Sequence, residues 1–550
     1  MIRDRVSELL LASVHKAQAK KALPPVAVSE AALERPAKPE FGDYASSLPL
    51  KLARAARMSP LAIARAIVDE ISPVDFVSKA EVAAPGFINI TLSDRWLSLQ
   101  LDAILAAGME FGNVRIGSGE RVQIEFVSAN PTGPLTAASG RGGALGDTLA
   151  SILAAVGYNV EREYYVNDAG SRMEAFYQTV FARYCQALGA QAEVPAEGYQ
   201  GAYVVDLAAD IVREHGDRFL KMPPAKALQE LGRIALDRMI QAAREDLSAL
   251  GIRYDTWFSE QSLYDSSLVG KTIDLLGQRG YTDKREGAVW FSSTALGDDK
   301  DNVLIRSNGA PTYFASDIAY HYDKFLMRKY DRVIDVLGAD HQGHVPRMKA
   351  GVAALGVDPS RLQLIVHQLI TLRRGAEIVR MSKRTGDIVT LSEVIDEVGA
   401  DACRFFFLSR SADSQMDFDL ELAKQQSAEN PVFYVQYAHA RIASILRYAG
   451  DIDFSTGDVS LLTTEPELTL VRKMLQLPEL VESAALQLEP HQLPFYAQDL
   501  AAIFHSFYTQ CRVVSEDESL TKARLKLVQA ARNVLAKTLG LMGVAAPEQM

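Results

Sequence analysis

Arg121-Val-Gln-Ile-Glu-Phe126, Asn130-Pro-Thr-Gly-Pro134 and Gly140-Arg-Gly-Gly-Ala-Leu-Gly146 follow one another in a single stretch whose reading decides the fold. Val122, Ile124 and Phe126 alternate with Gln123 and Glu125, a two-residue period that predicts a strand. The Pro/Gly cluster then turns the chain. Leu145, Leu149, Ile152, Leu153 and Val156 recur at helical spacing after it, with Gly157 past the end. Strand, glycine-bearing turn and helix in this order open a doubly wound nucleotide-binding sheet. The helix start would offer free backbone N–H groups and the positive end of its dipole to a phosphate. Glycine would let a nucleotide lie close to the backbone there. A tight turn with glycines kept for packing reads the same pattern equally well.

Outward from this stretch, the N-terminal side reads as a small α/β module. Ser59-Pro60 is a helix start, with Leu61, Ala64, Ile67, Val68 and Ile71 as the inward face, and Phe87 to Leu92 alternates like a half-buried strand. On the C-terminal side a helical pattern dominates from about 172 to 250. Strands are expected near Val289–Phe291, Val303–Ile305, Val333–Leu337 and Leu362–Val366, as in a split parallel sheet carrying an insertion. From about 393 the pattern is almost wholly helical. Its clearest helix has Asn430 as cap, Pro431 in its first turn, Val435, Ala438, Ile442 and Ile445 inward, and Gly450 after it. The fold class expected is α/β: a Rossmann-like parallel-sheet domain at 116–392 with a largely helical insertion at about 172–260, an α/β module at 1–115, and an all-α domain at 393–550.

The 550 residues are 48% apolar and 23% charged, the make-up of an ordinary globular chain. No apolar run is long enough to cross a bilayer, and no secretory leader is expected at the N-terminus. Cys185, Cys403 and Cys511 lie too far apart in sequence for a disulfide framework or a cysteine metal site, so a reducing compartment is expected. The formal charge of −11 does not exclude nucleic acid, because a local basic groove can bind phosphate on an acidic protein.

Two further stretches carry candidate chemistry. Val379-Arg-Met-Ser-Lys-Arg-Thr-Gly386 sets cations around Lys383, suited to a polyphosphate, although most such runs are solvated surface loops. Pro311-Thr-Tyr-Phe-Ala-Ser-Asp317 precedes Gly338-Ala-Asp-His-Gln-Gly-His344. Asp317 could pair with a cationic substrate and Tyr313 could wall its pocket. His341 and His344 invite a metal reading, but no further ligands converge in sequence, so no metal site is expected.

In this order and at these separations, the stretches resemble class I aminoacyl-tRNA synthetases, and arginyl-tRNA synthetases of the bacterial type in particular. The resemblance extends through Pro39-Glu-Phe-Gly-Asp-Tyr-Ala45, Tyr165-Val-Asn-Asp-Ala-Gly170, Ser411-Ala-Asp413, Glu429 to Arg441, Phe504-His-Ser-Phe-Tyr508 and Leu541 to Met550. It implies activation of L-arginine by ATP with Mg²⁺, then transfer to the terminal ribose of tRNA(Arg), by a cytoplasmic monomer. It further implies an arginine site of Glu125, Ser128, Asn130, Tyr313, Asp317, His341 and Gln342. The implied ATP site holds Asn130, Pro131, Thr132, Gly133, Thr136, Ala138, Ser139, Gly140, Met381, Ser382 and Lys383, with Lys383, Thr136 and Ser139 in catalytic places. The module at 1–115 is expected to hold the tRNA elbow, and the helices at 393–550 the stem and anticodon. Of Tyr434, Tyr437, Phe504, Phe507 and Tyr508, one or two are expected to meet RNA.

One segment departs from the resemblance. Between Leu135 and Gly140 the family reads His-x-Gly-His, and this chain reads Thr136-Ala-Ala-Ser139. The missing imidazoles would donate to the ATP phosphates as charge shifts; Thr136 and Ser139 keep small donors without reach or charge. Three readings stand: a working arginine–tRNA ligase, an impaired paralogue that still binds arginine or tRNA, and a small-molecule ligase on the same fold.

Overall fold

The computed structural model of the chain describes residues 1–379 and 389–550. The N-terminal module is a four-stranded antiparallel sheet, in the order Leu33–Glu34, Tyr44–Ser46, Phe87–Leu92 and Val77–Ala83, packed against helices Ile2–Ala19, Leu48–Ala56, Pro60–Val68 and Asp94–Ala107. Ser59 caps its helix by accepting the Ala62 N–H at 3.3 Å, as its place before Pro60 predicts. The inward face of that helix differs from expectation: Leu61 is 37% exposed, and Ile63 packs beside Ala64 and Ile67 instead. Ile63 and Ile67 are four apart and stack on one stripe, which Leu61, two residues earlier, does not share. In Phe87–Leu92 the alternation holds, with Ile88, Ile90 and Leu92 inward.

The central sheet has five parallel strands: β1 Arg121–Phe126, β2 Asn159–Val166, β3 Thr256–Ser259, β4 Arg332–Gly338 and β5 Leu362–His367, in the order β5-β4-β1-β2-β3. Both faces are covered, so Gln123 and Glu125 are buried along with the apolar residues of β1, and Gln123 donates to Glu163 on β2 at 3.1 Å. Helix α1, Ala137–Ala155, lies close on this sheet. A Cβ at Gly146 would stand 2.2 Å from the Phe126 ring, one at Gly143 2.7 Å from Ile252, and one at Gly140 2.6 Å from Leu391. The glycines of α1 therefore serve close packing. Between β2 and β3, helices Ser171–Ala187, Ala202–His215 and Pro224–Ala249 build a separate core around Phe176, Tyr184, Ile211 and Leu231.

Two expected strands fall outside the parallel sheet. Ala288–Phe291 and Asn302–Ile305 form an antiparallel meander with Thr282–Arg285, and β3, unread in sequence, takes the sheet edge. Runs of four residues carry no mark of their partner, so sheet membership was decided by tertiary packing. The region after 393 is likewise not all helical. Met416–Asp419 pairs in parallel with Ile370–Arg374, where a short extended run meets an open strand. The remaining C-terminal elements are helices, among them α3, Pro431–Ala449, whose Val435, Ala438, Ile442 and Ile445 are buried as expected. Asn430 does not cap α3 with its side chain; its amide donates to Ala423 O and Gln425 O, both at 2.9 Å.

Arg404 ties these layers together. Fully buried, it donates to Asp147 of α1 at 2.6 Å, to Leu250 O at 3.2 Å and to Met542 O at 2.5 Å. The N-terminal module is fastened to the C-terminal helices by Arg472 with Asp43 at 3.1 Å and by Arg35 with Glu479 at 2.9 Å. Tyr44 also donates to Glu479, so the quoted stretch around Asp43 and Tyr44 works partly as a dock between domains.

Candidate active site

Strand order reverses where β1 lies between β2 and β4, and in such sheets ligands bind beyond the carboxyl ends of the strands at that point. A cavity of about 370 Å³ opens there. The chain leaving β1 is bent, with Val127 at φ 69° and Ser128 at φ 41°, left-handed values that non-glycine residues hold only under constraint. The constraint is visible. Tyr254 and Tyr164 donate to Phe126 O and Ala129 O, both at 3.0 Å, and Asn167 donates to Ser128 O at 2.9 Å. The Ser128 hydroxyl donates to Glu125 at 2.9 Å and accepts the Tyr165 N–H at 3.0 Å.

The opposite wall is helix α2, Tyr313–Tyr322, started by Thr312, whose hydroxyl accepts the Ala315 N–H at 3.4 Å. Tyr313, Asp317, Tyr320 and His321 follow helical spacing, and all four line the cavity. Glu125, Ser128, Asn130 and His341 line it too, so the structure brings together six of the residues expected around an amino acid. Gln342, the seventh, is exposed and does not line it.

Charge in the cavity is arranged unequally. Lys324, just beyond α2, donates to Glu125 at 2.7 Å and to Asp335 of β4 at 2.8 Å, and His321 stands 3.0 Å from the other Asp335 oxygen. Burial would raise Asp335, but Lys324 and His321 overcome it and hold its carboxyl well below the usual range. The Asp317 carboxylate has no hydrogen-bonding or ion-pair partner among the described residues. Burial pushes it up to about 6, with Glu125 and Asp335 adding to the rise and His321 and Arg347 opposing it. Glu260, 2% exposed behind α2, is pushed up to about 7 by burial. Ser316 donates to one of its oxygens at 3.1 Å; the other, like the Tyr165 hydroxyl, has no partner among the described residues. Two underpaired carboxyl groups near one small cavity suit a planar cation with several donors.

Sequence reasoning did not single out Glu260, Tyr320, His321, Lys324 or Asp335. For three of them a signal existed: Tyr313, Asp317, His321 and Lys324 are spaced by four, four and three, with Tyr320 four before Lys324, one helical stripe. Glu260 and Asp335 carried none, because their burial is a product of the fold. His344 lies beside His341, its ring lowered to about 4 by burial and by Arg347 and His341. Among the described residues no three His, Cys, Asp or Glu side chains gather so as to hold a metal ion.

The expected nucleotide side is the turn and first turn of α1. Pro131 and Thr132 are buried, and Thr132 O accepts the Tyr203 hydroxyl at 2.5 Å while Gly133 faces its ring. Thr136 is the N-cap of α1 and Ser139 its third residue, and the two make a reciprocal capping box, with Ser139 Oγ accepting the Thr136 N–H at 3.4 Å. Thr136, Ala138 and Ser139 are half-buried, whereas Gly140 is turned onto Leu391 and Phe407. Met381, Ser382 and Lys383 lie outside the described residues.

Three family models match the chain in succession: the arginyl-tRNA synthetase N-terminal domain over residues 4–92, the class I (R) tRNA synthetase catalytic domain over 100–443, and the DALR anticodon-binding domain over 435–550. An arginine–tRNA ligase of Dehalococcoides mccartyi is 56% identical over 100% of this chain and 99% of its own. One of Heliobacterium modesticaldum is 48% identical over the same shares of the two chains, 100% and 99%. The solved arginyl-tRNA synthetase of Thermus thermophilus superposes with a TM-score of 0.80 at 25% identity, covering 100% of both chains. With a carboxylate-walled cavity at the switch point of a class I sheet, and relatives matched from end to end, the chain belongs to the arginyl-tRNA synthetase family.

Proposed function

We infer that the chain is an arginine–tRNA ligase, which activates L-arginine with ATP to arginyl-adenylate and passes the arginyl group to the terminal ribose of tRNA(Arg). The observation that carries the site assignment is Asp317, a half-buried carboxylate without a partner among the described residues, on the wall of the switch-point cavity. In this reading Asp317 and Glu260 take the guanidinium, under Tyr313. Ser128, Asn130, Glu125 and His341 surround the amino-acid backbone, and Gln342 closes the rim. A guanidinium is matched by forked acceptors that a lysine ammonium does not fill, so no editing site is needed. The arginine carboxylate attacks the α-phosphorus of ATP and pyrophosphate leaves; a ribose hydroxyl of the tRNA then attacks the carbonyl carbon and AMP leaves.

Asn130 to Gly133 and the first turn of α1, through Thr136, Ala138, Ser139 and Gly140, would hold the nucleotide by backbone N–H groups and the helix dipole, with Met381, Ser382 and Lys383 across from them. The first turn of α1 offers no carboxylate. Mg²⁺ is normally held by one or two carboxylates as well as by substrate phosphates, so here it would arrive on the triphosphate, and no step is assigned to it. We further propose that residues 1–115 hold the tRNA elbow and 393–550 its stem and anticodon. Tyr437 and Tyr508 support this: half-exposed, they flank Arg441 on the wall of a cavity of about 1020 Å³, whereas Phe504 and Phe507 are core. No helix among the described residues is long and apolar enough to cross a membrane, and the cysteines are free and buried. A cytoplasmic monomer is the reading we adopt.

The test is charging of tRNA with labelled arginine by the chain as it stands and by Thr136→His/Ala138→Gly/Ser139→His. Charging by both supports the assignment, and charging by the altered chain alone marks a ligase whose nucleotide end is silenced. Failure of both, with the fold intact, sinks it.

A further inference from the structure

Glu125 and Asp335 are register partners on adjacent strands of a buried sheet. Like charges directly opposite one another repel, and burial amplifies the repulsion. What relieves it is Lys324, whose side chain has no exposed surface. Its ammonium donates to Glu125 Oε2 at 2.7 Å and to Asp335 Oδ1 at 2.8 Å, and it stands 4.1 Å from the centroid of the Tyr320 ring. The remaining oxygens are engaged as well: Glu125 Oε1 accepts from Ser128 at 2.9 Å, and Asp335 Oδ2 faces His321 at 3.0 Å. The chain reaches this point because α2 ends at Tyr322 and continues into a wider π turn, Asp323–Met327, a departure frequent at functional sites.

We infer that Lys324 is a positioning residue for substrate binding, a permanent internal cation that holds Glu125 and Asp335 side by side and, through Glu125, fixes Ser128 at the cavity wall. The cavity then meets an incoming guanidinium with Asp317 unpaired among the described residues on its wall and Glu260 buried behind α2. Without that cation, four carboxyl groups would compete for protons and for the ligand. Lys324 does not line the cavity and has no place in the chemistry; the inference rests on the reading that arginine binds there.

The test is the dissociation constant of L-arginine, by titration calorimetry, for the unaltered chain, Lys324→Met, Lys324→Arg and Lys324→Met/Asp335→Asn. Methionine keeps the length of lysine without charge; arginine keeps the charge at the cost of size. A charge role predicts that Met weakens arginine binding by about a hundredfold and that Arg recovers most of it, while the double variant recovers part by removing one uncompensated carboxylate. A packing role predicts the reverse order, Met better than Arg, and that order overturns the inference. So does a folded Lys324→Met with unaltered affinity. Should Lys324→Met not fold, the double variant takes its place: restored folding with measurable arginine binding supports the inference, and failure of the double variant overturns it. An unaltered chain that binds no arginine would instead remove the underlying reading of the cavity, whatever the Lys324 variants do.

Discussion

Thr136 and Ser139, at the start of α1, turn their hydroxyls toward each other and toward their own backbone, whereas α2 presents Tyr313 and Asp317 to the cavity, with Tyr320 and His321 buried behind them on Glu163 and Asp335. Both helices begin beside the carboxyl edge of the sheet. One spends its polar groups on completing itself, and the other leaves Asp317 unpaired among the described residues at the cavity wall, with Lys324 behind it. The contrast shows that a helix start can keep its geometry while losing its reagents. Small capping residues suffice for the fold, and only imidazoles supply reach and charge.

The sharpest way to break the contrast is to return reagents to α1. Thr136→His/Ala138→Gly/Ser139→His should raise the rate of adenylate formation, followed by arginine-dependent pyrophosphate exchange, by ~10²–10³ or more, the usual worth of such a donor. An unchanged rate would mean that other groups already do this work. Next in size, Asp317→Asn removes charge from α2 alone. Arginine affinity should fall about a hundredfold, since charge-assisted bonds in a dry site contribute roughly 1.5–3 kcal/mol each. Arginine titrations measure it, with the melting temperature as control.

A smaller effect comes from pH. Asp317 at about 6 and Glu260 at about 7 are raised in the free protein and must ionise to hold a cation. Binding therefore releases protons, and arginine affinity should be flat above pH 8 and fall as pH drops through 7 and 6, approaching tenfold per unit for each protonated group. Calorimetry at pH 6 in buffers of different ionisation enthalpy reads the proton release directly; none would show that both groups are already charged. Least of all, Ser139→Ala should cost under about 1 kcal/mol, because its capping bond at 3.4 Å is long. The melting temperature should move by less than about 2 °C, since the shift per kcal/mol shrinks with chain size.

Much of the scaffold was readable where local pattern and tertiary role coincide. β1, its turn and α1 obey their periodicities, and α3 buries the residues its spacing names. Reading failed where burial has no local sign. Gln123 alternates like a solvent-facing residue yet sits between two covered faces of a parallel sheet. Val289 and Val303 look like any strand residues, and only packing assigned them to the outer meander. In the site, Asp317 and Tyr313 stood out by chemistry, and Lys324 was within reach by helical spacing, but a wholly buried lysine is rare enough to be taken for surface. Glu260 is brought behind α2 by the end of β3, a burial that no local pattern encodes.

The buried Arg404 has a consequence in time as well as in space. It joins Asp147, 257 residues before it, to Met542, 138 residues after it. During synthesis α1 is made early, yet one of its anchors lacks its last acceptor until the chain around Met542 has been made. A growing chain can thus bury most of its catalytic sheet and still not seat α1 finally. The seating of α1 therefore depends on a segment far from it in sequence, reached through a single buried side chain.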